Sequence, residues 1–321
     1  MKVNKILIVM GEPQSIFSEI LFKYFVSKDF YVNKKIIILI GDKNLLQSHM
    51  KKLKYNLHLN LIEDINDASL RKVNILNVKY KNKKIFSKIS SDSKNYISNC
   101  FKKSLNIIKN TKDIVLINGP VSKKHFLNKK YPGITEYISK KTKSKNQIML
   151  IFNNKLSVSP VTTHLPIKEV HKNISSKKII KNVIQINEFY KNFLKKNPKF
   201  AILGLNPHCE TINQISEEEK TIIPAIIYLK KIKLNVSGPF SADTFFLKKN
   251  IKNYNSVIGM YHDQVLTPFK TLFGFDAANI TLGLPFLRIS VDHGPNENMM
   301  GKNSSSIESL ENIFYLIKTI Q

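Results

Sequence analysis

Three histidines occupy the same kind of position, each in a polar segment that follows a short apolar run. They are His164 in T-T-H-L-P, His208 in N-P-H-C-E and His262 in Y-H-D-Q. If these runs are strands, three imidazoles that meet at strand ends would form an open metal site with room for substrate or water. The spacing alone is weak support, because no two of them lie four residues apart on one helix. Asp263 and Glu210 stand beside two of the histidines and are suited to orient their rings.

Further polar groups follow in the segment 259–294. Lys270, Asn279 and Arg288 offer an ammonium group, an amide and a guanidinium, which together suit a phosphorylated acid. Only Arg71 and Arg288 are arginines among the 51 basic residues. A planar guanidinium can bind a carboxylate or phosphate through two parallel hydrogen bonds, which lysine cannot do. In a chain this rich in lysine, however, Lys270 fits an ordinary surface position equally well, and Arg288 could be a chance survivor.

Short apolar runs that alternate with amphipathic segments must position these groups. The runs 5–10, 35–41 and 113–118 have the length and composition of buried strands, and 93–108 and 176–194 have the apolar spacing of helices. This alternation predicts an α/β fold with a mostly parallel sheet covered on both faces. In such a sheet, ligands bind beyond the carboxyl ends of the strands, where the histidines are expected.

The domain organisation is predicted from breaks in this pattern. The chain has no flexible linker, and the Gly-Pro pair at 119–120 opens its second part. Residues 1–118 with the returning segment 275–321 are predicted to form one domain, and residues 119–274 a second. With 321 residues, 42% of them hydrophobic, the chain can bury two such cores. We expect the two domains to share a continuous sheet.

The formal net charge is +28, but its distribution argues against a nucleic-acid partner. Lysines are scattered through every segment, without an arginine-rich helix, an RNP-like aromatic motif or a zinc finger. Cys100 and Cys209 lie far apart and form no metal-binding pair. No apolar stretch approaches the length of a membrane span. We therefore expect a cytoplasmic protein with neither a membrane nor a nucleic-acid partner, whose charge could attract anionic substrates.

Eight short motifs between Gly11 and Gly294 add a second line of argument. In order they read G-E-P-x-x-I-x-x-E, N-G-P-V-S-K, Y-P-G-I-T-E-Y, T-T-H-L-P-I-K-E-V, G-L-N-P-H-C-E, G-P-F-S-A-D-T-F-F, G-M-Y-H-D-Q and N-I-T-L-G-L-P-F-L-R-I-S-V-D-H-G. This set and its order closely resemble the 4-hydroxythreonine-4-phosphate dehydrogenase family of vitamin B6 biosynthesis. The resemblance runs nearly end to end, and the last five motifs are highly specific.

The resemblance implies an isopropylmalate-dehydrogenase-like fold of two α/β/α domains that share a mostly parallel sheet. The active site would lie in the interdomain cleft at a homodimer interface. The first domain would hold the cofactor, and the second would hold the metal ion, the substrate and the dimer contacts. His164, His208 and His262 would bind one divalent ion per subunit (zinc, magnesium or cobalt), and one of these ligands could come from the partner chain.

The remaining site residues follow from the same resemblance. Thr135, Lys270, Asn279 and Arg288 match positions that bind substrate; Asp243 and Asp263 match acidic positions near the chemistry; Gly294, Asn298 and Gly301 lie in the segment that matches the cofactor loop. The implied reaction oxidises and decarboxylates 4-phosphooxy-L-threonine (4-hydroxythreonine 4-phosphate) to 3-amino-2-oxopropyl phosphate. NAD or NADP would accept the hydride.

Departures from the family pattern bear on substrate and cofactor. Ile134 stands where the family has a histidine that binds substrate, and isoleucine cannot hydrogen-bond a phosphate. The first loop carries Glu12 and has lost two glycines, to Ser15 and Phe17, where backbone could approach a ligand closely. The segment 293–301 also differs from the family's cofactor loop.

Two alternatives therefore stay open. Ile134 alters the substrate pocket and favours a sister dehydrogenase for another phosphorylated four-carbon acid, of the phospho-threonate or phospho-erythronate type. The positive charge and the altered cofactor loop leave a non-catalytic homologue as the other alternative.

Overall fold

A computed structural model describes residues 3–81, 84–111, 113–128, 130–212, 215–274, 276–291 and 293–320. The strands are β1 (Lys5–Val9), β2 (Ile36–Gly41), β3 (Leu59–Ile62), β4 (Val73–Asn77), β5 (Ile114–Asn118), β6 (Ile148–Phe152), β7 (Ser157–Thr162), β8 (Phe200–Leu203), β9 (Val236–Phe240), β10 (Ser256–Tyr261), β11 (Ala278–Leu282) and β12 (Leu287–Val291). The α-helices are α1 (Phe17–Phe25), α2 (Lys28–Val32), α3 (Lys43–Leu53), α4 (Lys94–Lys109), α5 (Ile134–Lys141), α6 (Ile167–Asn173), α7 (Ser176–Leu194), α8 (Ile223–Lys231), α9 (Ala242–Phe245), α10 (Lys248–Ile251), α11 (His262–Phe273) and α12 (Glu308–Thr319). Short 3-10 or π-helical turns are formed by Ser91–Ser93, Lys123–Leu127, Pro207–Cys209, Glu218–Ile222 and Glu297–Met299. Within the described residues, none of the helices has the length and apolar composition needed to cross a membrane.

The chain divides into two compact units, Met1–Gln147 with Gly283–Gln321 and Ile148–Leu282. These boundaries differ from the predicted domains, which were residues 1–118 with 275–321 and residues 119–274. Residues 119–147 belong to the first unit, where Phe126 and Ile138 are buried in its hydrophobic cluster. Strand β11 belongs to the second unit, where it pairs with β6.

In the first unit the strands lie in the order β3-β4-β2-β1-β5-β12, and every neighbouring pair is parallel. Ile6 and Leu7 of β1 point to opposite faces, and both are fully buried. Burial on both faces explains why this strand is a continuous apolar run. Helix α4 covers one face, because its Ile97 and Phe101 lie in the same hydrophobic cluster as Leu7.

In the second unit the order is β11-β6-β7-β10-β8-β9. Strand β6 runs antiparallel to β11 and β7, whereas the pairs β7–β10, β10–β8 and β8–β9 are parallel. Because β7, β10 and β8 are neighbours, their carboxyl ends meet at one edge of the sheet. His164, His262 and His208 follow these three strands in the sequence. The predicted α/β class with mostly parallel strand pairs is therefore confirmed.

His262 begins helix α11, so the polar segment Y-H-D-Q is the start of a helix that was not among the predicted ones. The N-cap residue Tyr261 makes no side-chain cap hydrogen bond, and the usual sequence signal for a helix start is therefore missing. Gln264, in the first turn, accepts a hydrogen bond from the backbone N–H of Met260 at 2.6 Å. This bond joins the end of β10 to the start of the helix.

Gly11 allows the ends of β1 and β5 to approach closely. Its φ is +71°, and a Cβ there would lie 2.5 Å from the carbonyl oxygen of Pro120. We expect Gly11→Ala to lower the free energy of unfolding by about 2–3 kcal/mol in chemical denaturation, since it combines left-handed backbone with overlap against a main-chain atom. Gly294→Ala is the control, because a Cβ there meets no atom within 4 Å. Equal losses in the two variants would contradict the argument.

Candidate active site

His164 and His262 lie together at the carboxyl edge of the second unit. Their ring centroids are 5.9 Å apart, and the rings are tilted by 35°. Strands β7 and β10 set this spacing, because Thr162 is paired with Tyr261 and its Oγ1 donates to the carbonyl oxygen of Met260 at 2.7 Å. Two imidazoles at this separation suit the ligand set of a divalent transition metal in type and in proximity.

Asp263 orients the second of these rings. Its Oδ1 lies 2.7 Å from Nδ1 of His262, on the partly exposed first turn of α11. In the tautomer that donates from Nδ1, the Nε2 lone pair of His262 is left for a metal ion. The adjacent carboxylate is therefore placed to fix the orientation of the ring.

His208 lies on a different turn and does not complete this pair. It occupies the 3-10 turn Pro207–Cys209, where His208 has φ 56° and Cys209 has φ 65°. The hydrogen bond from the Ser241 hydroxyl lowers the pKa of Asp243, and the charge of nearby His208 contributes to that shift. Among the residues that the structure describes, no group of three or more His, Cys, Asp or Glu side chains could hold a metal ion. One chain therefore brings together two of the three predicted ligands.

Arg288 forms the centre of a polar cluster in the first unit. Its guanidinium, on β12, donates from Nε to Asn118 Oδ1 at 2.8 Å and from Nη1 to Thr135 Oγ1 at 2.9 Å. The side chain is 1% exposed. Burial lowers the pKa of Arg288 to about 10, against the charge of Glu136, so the group stays cationic at neutral pH. A cation fixed at the first turn of α5 is suited to bind a phosphate or carboxylate.

Asn118 is the site residue that the sequence argument missed. It ends β5, where it is 1% exposed, and its Nδ2 also donates to the carbonyl oxygen of Gly119 at 2.8 Å. Thr135, its counterpart on the other side of the guanidinium, was predicted only through the family resemblance. The signal for Asn118 was present in the motif N-G-P-V-S-K, of which it is the first residue.

The other predicted substrate residues belong to the second unit. Lys270 lies in the last turn of α11 and is half-buried. Asn279 is half-buried on β11, paired with Ile151 of β6. Asp243, predicted as an acidic residue near the chemistry and not as a substrate ligand, is exposed on the short helix α9. These positions are compatible with a ligand-facing role, which stays a prediction.

The predicted cofactor segment is anchored at its ends and open in the middle. The carbonyl oxygen of Pro295 accepts from the Ile16 backbone N–H at 3.1 Å. Gly301 has φ +74° and packs so closely that a Cβ would lie 3.2 Å from the Phe86 ring. Gly294 and Asn298 are exposed. The segment is thus held at Pro295 and Gly301, and its backbone is accessible at Gly294 and Asn298.

The first loop has turned its substituted side chains inward. Ser15 is 2% exposed and Phe17 is fully buried, with its ring so close to Gly119 that a Cβ there would lie 2.4 Å from it. The side chains at these two positions therefore pack into the interior, and the whole segment from Gly11 to Ile20 is buried. Glu12 is also buried, and it accepts hydrogen bonds from the Gln14 backbone N–H and the Ser93 hydroxyl.

Comparison with known proteins gives consistent matches along the chain. Residues 33–317 match the family model described as pyridoxal phosphate biosynthetic protein PdxA. The chain is 35% identical to the 4-hydroxythreonine-4-phosphate dehydrogenase of Sulfurihydrogenibium sp., and 32% identical to that of Aquifex aeolicus, each over 99% of both chains. The crystal structure of a 4-hydroxythreonine-4-phosphate dehydrogenase from Burkholderia phymatum matches with a TM-score of 0.83 at 26% identity, covering 100% of this chain and 99% of that one.

The buried carboxyl group of Glu12 should make stability depend on pH. Burial raises its pKa from 4.5 to about 7, partly with the help of the negative charge of Glu297. Between these values the unfolded chain has lost a proton that the folded chain keeps, so stability falls as pH rises. We expect the stability of Glu12→Gln relative to wild type to improve by about 2–3 kcal/mol from pH 5 to pH 8, measured by denaturation. Parallel pH profiles for the two proteins would exclude this assignment.

Proposed function

The chain belongs to the PdxA family of pyridoxal phosphate biosynthetic proteins, and we propose that it is a dehydrogenase that oxidises and decarboxylates 4-hydroxythreonine 4-phosphate. The observation that carries this proposal is the buried Arg288, held by Asn118 and Thr135. Removing a cation from water has a large free-energy cost unless its hydrogen bonds are satisfied and its charge is used. A fixed guanidinium at the start of a helix suits an acid substrate that carries a phosphate.

A nicotinamide cofactor, NAD or NADP, would accept the hydride. We propose that it binds at the segment with Gly294, Asn298 and Gly301, of which the first two are exposed. Ser15 and Phe17 pack inward, so the two substitutions place no exposed side chain beside this segment. The carbon that bears the substrate hydroxyl would give a hydride to the nicotinamide, while the hydroxyl gives its proton to a base. The resulting β-keto acid would lose CO2, and the enolate left behind would take up a proton. The product would be 3-amino-2-oxopropyl phosphate.

His164 and His262 would hold a divalent ion, with zinc, cobalt or magnesium as candidates. When bound, the ion supplies Lewis-acid polarisation of the substrate hydroxyl. Asp263 keeps the His262 ring in place, and Asp243 is an exposed carboxylate beside His208 that could take part in proton transfer. Lys270 and Asn279 would contact the substrate from the same unit.

We infer that His208 reaches this metal ion from a second copy of the chain. His164 and His262 are a pair without His208 in the described part of one chain, whereas three imidazoles would make the donor set of an open catalytic site. Exposed isoleucines follow His208 in the chain: Ile212 is 87% exposed, Ile215 62% and Ile227 61%. Exposed apolar side chains of this kind suit a contact that is buried in a homodimer.

Ile134 favours a second candidate substrate. It is partly buried and packs against the hydrophobic cluster of the first unit, beside Thr135. It can therefore offer a substrate apolar contact but no hydrogen bond. A phosphorylated acid without the amino group, of the phospho-threonate or phospho-erythronate type, is the alternative that this position supports.

Purified protein supplied with 4-phosphooxy-L-threonine tests the function directly. We expect formation of NADH or NADPH that stops after chelation and returns when zinc, cobalt or magnesium is added back. Phospho-threonate and phospho-erythronate are assayed in parallel. A preference for either of them over 4-phosphooxy-L-threonine would identify that acid as the substrate. A folded, metal-loaded protein that oxidises none of these acids with either cofactor would refute the proposal.

Arg288→Lys tests the acid-binding role of the guanidinium. Lysine keeps the charge but cannot donate to Asn118 and Thr135 at once, so we expect kcat/KM to fall by about 10- to 100-fold. Arg71→Lys is the matched control, since Arg71 is the only other arginine and is exposed. It should leave kcat/KM unchanged. Similar activity in the two variants would remove Arg288 from the site.

A further inference from the structure

Glu218 has a fully buried carboxylate that holds the segment leading to His208. Its Oε1 accepts hydrogen bonds from the backbone N–H groups of Leu205 at 2.6 Å and Asn206 at 2.9 Å. Its Oε2 accepts from Nδ2 of Asn206 at 2.9 Å. The residue is 0% exposed. Charge-assisted bonds of this kind are stronger than neutral ones, so the carboxylate fixes the backbone two residues before His208.

Gln264 ties the same segment to the helix that begins with His262. Its Nε2 donates to the carbonyl oxygen of Gly204 at 2.7 Å, and its Oε1 accepts from the Met260 N–H at 2.6 Å. The fit is close, because a Cβ on Gly204 would lie 2.7 Å from Cys209 Sγ. Residues 204–206 are therefore held by two side chains, because Gln264 bonds the Gly204 carbonyl oxygen and Glu218 bonds the N–H groups of Leu205 and Asn206.

The turn that these groups support is conformationally strained. His208 and Cys209 are successive non-glycine residues with φ of 56° and 65°. Such conformations persist only where the surrounding structure enforces them. Glu218 and Gln264 contribute to this by fixing residues 204–206, the segment immediately before the strained turn.

We propose that Glu218 and Gln264 are positioning residues that set the His208 imidazole for metal binding. This inference rests on the proposed function, in which His208 is a metal ligand. Neither side chain touches substrate or metal in this scheme. Without them the turn relaxes, and a folded protein is left whose third imidazole is misplaced. The inference therefore concerns metal affinity rather than overall stability.

Zinc binding by the purified full-length protein tests this proposal. We expect Glu218→Ala to weaken zinc affinity about 10- to 100-fold in competition with a chelator, the effect typical of groups that orient a metal ligand. Glu218→Gln, which keeps the shape and one acceptor, should fall between Glu218→Ala and wild type. Gln264→Ala should weaken zinc binding in the same direction. The zinc concentration for half-maximal activity should rise in parallel, and the maximal rate should recover at high zinc.

Glu217→Ala is the matched control. Glu217 accepts a hydrogen bond from the Asn206 side chain at 2.8 Å, whereas the backbone N–H groups of Leu205 and Asn206 bond Glu218, so loss of Glu217 should change zinc affinity no more than a few-fold. A purely structural role for Glu218 would reduce the folded fraction while leaving the zinc affinity of that fraction at the wild-type value, and this result would overturn the inference. If wild-type protein itself binds no zinc, cobalt or magnesium, the metal assignment fails together with the inference. Metal binding that is unchanged in the variants overturns the inference alone.

Discussion

Parallel pairing of neighbouring strands is the constraint on which both groups of site residues depend. In the first unit, β5 and β12 run in the same direction with Asn118 paired to Ser290, and Arg288 two residues earlier reaches the Asn118 side chain. In the second unit, the pairing of Thr162 with Tyr261 brings the residues that follow each strand to a common edge. A shift of one residue in either register would turn these side chains to the opposite face.

Three buried ionisable side chains have pKa values shifted in different ways, because their hydrogen-bond partners differ. Arg288 keeps its charge because Asn118 and Thr135 accept from it, although burial lowers its pKa. Burial also opposes ionisation of Glu218, but hydrogen bonds from Asn206 and backbone groups outweigh it and lower the pKa. Glu12 has weaker partners, and its pKa is raised. The first two are therefore fixed charges that hold polar neighbours, whereas the third can be neutral near physiological pH.

The sequence predicted the strand and helix alternation well because apolar periodicity records burial directly. It also predicted that His164, His208 and His262 follow strands and meet, and the structure brings His164 and His262 close together. It failed where the information is not local. The start of α11 carries no capping side chain, and the boundary of the first unit depends on where residues 119–147 pack. Glu218 lies in an acidic, helix-like segment, and only the fold reveals that its carboxylate faces inward.

A metal centre assembled from two copies of the chain is tested most directly by mixing His208→Ala with His262→Ala. Each variant alone should be inactive and should lack tightly bound metal. After subunit exchange, a mixed dimer has one site with His164 and His262 from one protomer and His208 from the other, so activity should return to about one quarter of wild type for random pairing. Mass spectrometry verifies that the subunits have exchanged. If activity does not return after verified exchange, the shared site is contradicted, and all three imidazoles are assigned to one chain.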